Sequence, residues 1–499
     1  MSKFKRFDEG TLELCLNSDH FLIRGVRLIT NTDYNDTLVE EKTAILYRGS
    51  AQPICGQIFI VTSRVVGRSY VIVIPAPDLA MPELRVEKGR LRVDSKGYPI
   101  YLGECFAEDA EWLVRSWYRE QYKPTLLHSM SNTWGDRNGR TKISHDFIKK
   151  EIDSGADLGI DVVQIDDGWQ RGIPDVYDEA KNRLFEGDFW ELKSEIFPNG
   201  IAPLSEYAKA KGVELGLWFA PHSRGVFEHF DRDLSVLNAA YHDWGIRYFK
   251  LDMVSLPTKE HCDKMAELLD KVKSFGEDVS VELDVTADKR LGYLASAPYG
   301  TIFVENRYTA WGNYYPYRTL RNAWMLSRYI PLSKLQFELV NPELFLDKYD
   351  LNDPFRHGIC TADYLFAEVM LSNPLFWMET QELSDSARRD LKKIIPTWKQ
   401  YRSELTAADV RPIGEEPRGD SLTGFIAEGD REMHILIFRE ATDKEELSFS
   451  IGSCVKSFEI LLSSAPASAR IDGSMISARI GAPRSYLWIR AIKDTPSEA

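Results

Sequence analysis

Two segments of this 499-residue chain bring acids to the ends of apolar runs: Val163-Gln164-Ile165-Asp166-Asp167-Gly168-Trp169 and Arg247-Tyr248-Phe249-Lys250-Leu251-Asp252-Met253. A strand that is hydrophobic along its length and closes in carboxylates reads as a buried parallel strand opening into an active site. The ending recurs later, with Glu282 and Asp284 on one run and Glu305 on the next. Lys250 stands two residues before Asp252, on the same face of a strand. An ammonium there favours the ionised acid, which a nucleophile requires; the plain alternative is a structural ion pair. Several carboxylates with only 9 histidines suit glycoside cleavage, in which one carboxylate attacks the anomeric carbon and another protonates the leaving oxygen. Trp134, Trp169, Trp218 and Trp311 offer flat faces for sugar stacking, although large aromatics at such positions also serve as plain packing. Mg²⁺ is the competing use of clustered acids, and Lys250 among them makes a divalent metal less natural.

Such groups need a scaffold that gathers strand ends. Eight apolar runs follow in order: 126–134, 162–169, 214–221, 248–254, 279–285, 301–307, 330–339 and 375–378. Helix-period segments separate them, the clearest over 203–211, 261–275, 317–329 and 362–371, with a longer one over 384–404. Between the first two runs, Phe147, Ile148, Ile152, Ala156 and Leu158 recur at helical spacing, with Ser144 as cap and Gly159 as stop. This alternation predicts an α/β fold, a (β/α)₈ barrel over residues 100–405. Before it, β-branched runs such as Ile58-Phe59-Ile60-Val61-Thr62 predict an antiparallel β domain over 1–99. After it, Gly414, Pro417, Gly419 and Gly429 punctuate strands of a smaller, sandwich-like β domain over 406–499.

A balance of 62 basic against 76 acidic residues, formal charge −14, disfavours nucleic acid and anionic membranes as partners. No apolar stretch follows Phe7 as a signal peptide requires and none spans a bilayer, so the expected location is the cytoplasm. Six scattered cysteines without a Cys-x-x-Cys pair suit neither a disulfide framework nor a zinc site.

From about residue 125 to 405 the chain resembles glycoside hydrolase family 36, the retaining α-galactosidases and the raffinose and stachyose synthases. Asp166-Asp167-Gly168-Trp169 is similar to the family's Asp-Asp-Gly-Trp segment, whose aspartates hold the 4- and 6-hydroxyls of the sugar. Phe197-Pro198-Asn199-Gly200 and Gly216-Leu217-Trp218-Phe219-Ala220-Pro221 resemble its third strand and approach, and Lys250-Leu251-Asp252 its Lys-x-Asp nucleophile motif. Val304-Glu305-Asn306-Arg307-Tyr308 falls at the family's Ser-Asp-Asn-Thr-Asp, which makes Glu305 the implied proton donor.

Three departures bear on substrate. The family's Cys- and Gly-rich stretch after strand five, which meets the 2-hydroxyl, is replaced by Asp284-Val285-Thr286-Ala287-Asp288-Lys289-Arg290; Asp284 and Arg290 are therefore candidate sugar contacts. The stretch from Pro221 to Tyr248 is short and offers only Arg224 for the family's arginine there. The N-terminal β domain is much smaller than the family's. Asp136 and Arg137 after strand one are further candidates, and His222 is a neighbour without an assigned role.

The sequence thus implies a retaining α-glycosidase with Asp252 and Glu305 as its catalytic pair. Its candidate substrate-binding residues are Asp166, Asp167, Trp169, Lys250, Trp134, Trp218, Asp284 and Arg290. The substrate is an oligosaccharide or glycoside, no cofactor or metal is implied, and a homo-oligomer is left open. The rival readings are α-galactosyl transfer, a binding barrel without catalysis, and a metal-dependent hydrolase or lyase.

Overall fold

A computed structural model describes residues 3–16, 20–30, 37–46, 51–87, 89–135, 139, 142–173, 188–287, 289–452 and 454–494. Its centre is a closed barrel of eight parallel strands in chain order. They are β1 (Met130–Asn132), β2 (Val162–Ile165), β3 (Glu214–Phe219), β4 (Tyr248–Leu251), β5 (Ser280–Asp284), β6 (Thr301–Phe303), β7 (Leu335–Leu339) and β8 (Asn373–Phe376). Each overlaps one of the eight apolar runs. β8 closes on β1 through Met130 opposite Leu375.

Helix α1 (Ala110–Glu120) precedes the barrel, and α2 (His145–Leu158), α3 (Ala202–Ala210), α4 (Phe230–His242), α5 (Lys259–Lys273), α6 (Pro316–Leu326), α7 (Ala362–Val369) and α8 (Asp385–Ala407) wrap it. The Ser144 hydroxyl accepts the Phe147 N–H at the start of α2, and Gly159, at φ 82°, ends it. Thr258 caps α5 in the same way through the His261 N–H. α1 and α4 are helices that the sequence reading did not pick out. Among the described residues, no helix is long and apolar enough to cross a membrane.

The N-terminal part is two antiparallel sheets of six and four strands, closed over Leu12, Ile23, Phe59, Ile72, Leu84 and Leu91. Strand Ile100–Phe106 pairs with Phe4–Phe7 and Arg68–Val73, so this sheet runs past residue 99, where the sequence reading had set its end. The C-terminal part is a five-stranded and a three-stranded sheet over Ile426, Ile437, Ile476 and Ile489. The outer faces of both parts join the barrel's own apolar core through side chains such as Val26, Val73, Phe438 and Trp488.

Candidate active site

Strand register sets the floor of the site. Trp218, Lys250 and Glu282 lie side by side on β3, β4 and β5, so their side chains share one layer. A chain of buried polar contacts crosses that layer. The Gln164 amide donates to Glu282 Oε2 at 2.5 Å, and Asn132 Nδ2 donates to Gln164 Oε1 at 2.6 Å and to Asp166 Oδ2 at 2.7 Å. Lys250 Nζ donates to the same Asp166 oxygen at 3.0 Å. Buried polar groups are costly unless paired, and these bonds pair Asn132, Gln164, Asp166 and Lys250 with one another and with one oxygen of Glu282.

Above the floor, at the C-terminal ends of the strands, is a cavity of about 310 Å³. Asp166, Asp167, Lys250, Asp252, Asp284 and Arg290 line it beside Trp134, Trp218, Trp311 and Trp377, with Asn306 and Tyr308 on the side of β6. A larger hollow, about 690 Å³, lies over the N-terminal sheet, but its lining of Glu13, Glu83, Arg85 and Arg92 is a field of exposed opposite charges without an aromatic wall. The barrel cavity combines buried acids with flat apolar faces at the strand ends, where barrel chemistry is expected.

Lys250 is the electrostatic centre. Its ammonium is 4.0 Å from Asp252 Oδ2 and 3.9 Å from Asp284 Oδ2, and the rings of Phe303 and Trp377 lie 5.2 and 4.9 Å away. Burial works against its charge, but Asp166, Asp252 and Asp284 outweigh it and hold its pKa above the ordinary lysine value. Burial likewise opposes ionisation of Asp252; Lys250, Arg290, the Trp218 indole N–H at 3.1 Å and the Met253 N–H prevail and lower its pKa. Arg290 reaches Asp252 Oδ1 at 3.2 Å and is anchored on the Val254 carbonyl. Asp284 behaves oppositely. Burial and then the charge of Asp252 push its pKa up to about 6, against Lys250, Arg290 and hydrogen bonds from Thr286. Two neighbouring carboxyls driven apart in this way can divide the roles of base and acid.

Two expected contacts are not at the cavity. Trp169 is fully buried behind the wall; its indole N–H donates to the Trp218 carbonyl at 2.9 Å and its ring stacks on Trp190. It supports Trp218 rather than facing a ligand. Glu305 is also fully buried and turned to α6, where its carboxylate accepts from Thr319 Oγ1 at 2.8 Å and Asn322 Nδ2 at 2.6 Å. Its neighbour Asn306 lines the cavity instead. Arg224 is not among the lining residues, and Asp136 and Arg137 lie outside the described residues.

The sequence reading missed Asn132, Gln164, Thr286, Tyr308 and Trp377. Tyr308 accepts the Trp134 indole N–H at 3.0 Å and so fixes one aromatic wall. His222, Glu228 and His229, just past β3, are the group among the described residues that could hold a metal ion, with one donor atom from each within 4.8 Å of the others. His229, Arg232 and Arg224 add positive charge around His222, after burial the main causes that lower its pKa to about 4, and the same field opposes a cation.

A barrel whose strand ends gather a lysine, aspartates and tryptophans has the groups that sugar chemistry uses, and comparison with known proteins bears on that reading. Residues 108–264 match the Melibiase family model. The chain is 31% identical to an α-galactosidase from Lactobacillus acidophilus over 111 residues, 22% of this chain and 13% of that one. It is 24% identical to an α-galactosidase from Oryza sativa over 197 residues, 36% of this chain and 44% of the relative. It thus spans less than half the length of these relatives. Across nearly its whole length it shares the fold of solved α-galactosidases at low identity. For the Lactobacillus brevis enzyme the TM-score is 0.71 at 12% identity, covering 98% of this chain and 75% of that one. For the family 36 enzyme AgaA of Geobacillus stearothermophilus it is 0.66 at 12%, covering 97% and 76%. Residues 108–264 are thus similar to the Melibiase family, and the whole chain has the fold of solved α-galactosidases.

Proposed function

We propose that this protein hydrolyses a terminal α-linked sugar, of the α-galactoside type, by double displacement with retention. The observation that carries the reading is Asp252. It lies in the cavity at the end of β4 and is held ionised by Lys250 and Arg290, with the Trp218 indole fixing one oxygen. That is the state and the restraint a carboxylate nucleophile needs. Asp166 and Asp167 are placed to receive sugar hydroxyls, and Trp134, Trp218 and Trp377 to cover the apolar face of the ring. Solved structures of the Geobacillus stearothermophilus enzyme hold raffinose and stachyose, which supports an oligosaccharide as the ligand class. Six free cysteines support a reducing compartment, the cytoplasm.

The test is turnover of a panel of aryl α- and β-glycosides by the native protein beside Asp252→Ala. The expected result is cleavage of one α-sugar that falls by about 10³-fold or more in the variant. Cleavage that survives the substitution removes Asp252 as nucleophile.

A further inference from the structure

A double displacement needs a second carboxyl to protonate the leaving oxygen. We propose that Asp284, not Glu305, supplies that proton. This rests on the retaining reading above.

The geometry decides between them. Glu305 is withdrawn from the cavity and held on both oxygens by α6, through Thr319 and Asn322. Among the described residues, the carboxyls lining the cavity are Asp166, Asp167, Asp252 and Asp284. Asp166 is engaged by Lys250 and Asn132, and Asp167 by the Gln170 amide at 2.7 Å. Asp252 is the nucleophile. Asp284 has its Oδ1 fixed by the Thr286 N–H at 2.9 Å and hydroxyl at 2.7 Å, which leaves Oδ2 on the side of Lys250. Since Oδ2 of Asp252 and Oδ2 of Asp284 both lie within 4.0 Å of Lys250 Nζ, they are at most about 8 Å apart, a limit that admits the roughly 5–5.5 Å of a retaining pair.

The charges around Asp284 also cycle in the required direction. In the free protein, burial and the anionic Asp252 favour its protonated form, against Lys250, Arg290 and Thr286. Asp252 then attacks the anomeric carbon, the bond from that carbon to the leaving oxygen breaks, and that oxygen takes its electron pair together with the Asp284 proton. Once Asp252 is an ester its charge is gone, so Asp284 is left with Lys250 and Arg290 and holds a proton less tightly. It is now the base. Water attacks the anomeric carbon and gives its proton to Asp284, the ester bond breaks, and Asp252 regains its carboxylate.

The experiment compares Asp284→Asn and Glu305→Gln with the native protein on α-glycosides graded in leaving-group ability, with and without azide. For Asp284→Asn the expected result is a loss of about 10²–10⁴-fold on a sugar or alkyl leaving group. An activated dinitrophenyl leaving group, which needs no proton, should be spared in the glycosylation step. Azide should restore turnover of the activated substrate and give a glycosyl azide of retained configuration, a gain that a misfolded variant cannot show. The same pattern in Glu305→Gln, or an equal loss by Asp284→Asn on every leaving group without azide rescue, overturns the assignment. Failure of the underlying reading looks different: the native protein then turns over no α-glycoside at all, which overturns both.

Discussion

Lys250 has more to hold together than any other residue here, because it faces three carboxylates and is itself buried. Lys250→Met removes the cation and leaves those acids uncompensated. Breaking a buried ion pair from one side costs roughly 3–5 kcal/mol, so the denaturation midpoint should fall clearly. Asp252 also loses the largest influence that lowers its pKa, and the acidic limb of activity should move to higher pH. The native pH profile follows from two opposite shifts. Asp252 must be ionised, and its lowered pKa places the acidic limb below the ordinary carboxylate range. Asp284 must be protonated, and a pKa of about 6 makes activity fall as pH rises through that value. Asp284→Asn should abolish that basic limb, whereas a limb left unchanged would mean that another group titrates there. The acid-ended strands were legible at this scale because polarity at the end of an apolar run is visible in sequence. The direction of Glu305 was not. β6 ends at Phe303, so the alternation of faces along a strand does not extend to residue 305.

At the scale of elements, the site depends on how closely β1 and β8 meet. A Cβ on Gly135 would lie 2.1 Å from the Trp377 carbonyl carbon, a backbone atom that cannot swing aside. Gly135→Ala should therefore push apart the ends that carry Trp134 and Trp377, weakening substrate binding as a rise in KM while the pKa values of Asp252 and Asp284 stay in place. Unchanged KM would show that these tryptophans do not grip the sugar. Ser144→Ala is the contrasting case: loss of the α2 cap should cost about 1 kcal/mol of stability and leave turnover alone. That cap, the Gly159 stop and all eight barrel strands could be read from residue pattern, because period and capping chemistry are local. The polar floor could not. Gln164 sits among the apolar Val162, Val163 and Ile165 and Asn132 beside Met130 and Ser131, and only closure of the barrel brings them to Glu282 and Asp166. Trp377 fell within a run read as a strand, with nothing local to tell which way it faces.

At the scale of the molecule, the flanking sheets are part of the barrel's support. Val410, Phe425, Leu436, Phe438, Tyr486 and Trp488 of the C-terminal sheet belong to the same apolar core as the barrel helices. Arg115 of α1 binds Asp409, where that sheet begins, through two bonds of 2.9 and 2.8 Å. A chain ending at Leu405 should expose this face and aggregate; a soluble, active truncation would show that the barrel is self-sufficient. Asp409→Asn, which leaves a nearly buried guanidinium short of its partner, should lower the unfolding midpoint without changing the pH profile. The antiparallel character of both flanking parts was legible in sequence, but their sharing of one core with the barrel was not, since it depends on which outer face meets which helix.

The central claim is a glycosyl-enzyme at Asp252, and the most direct measurement is peptide mapping after incubation with an α-galactose-configured cyclitol epoxide. The account predicts a single covalent adduct on Asp252, formed in step with loss of activity and prevented by a competing α-galactoside. An adduct on another residue, or steady turnover of an α-galactoside with Asp252 never modified, would contradict it.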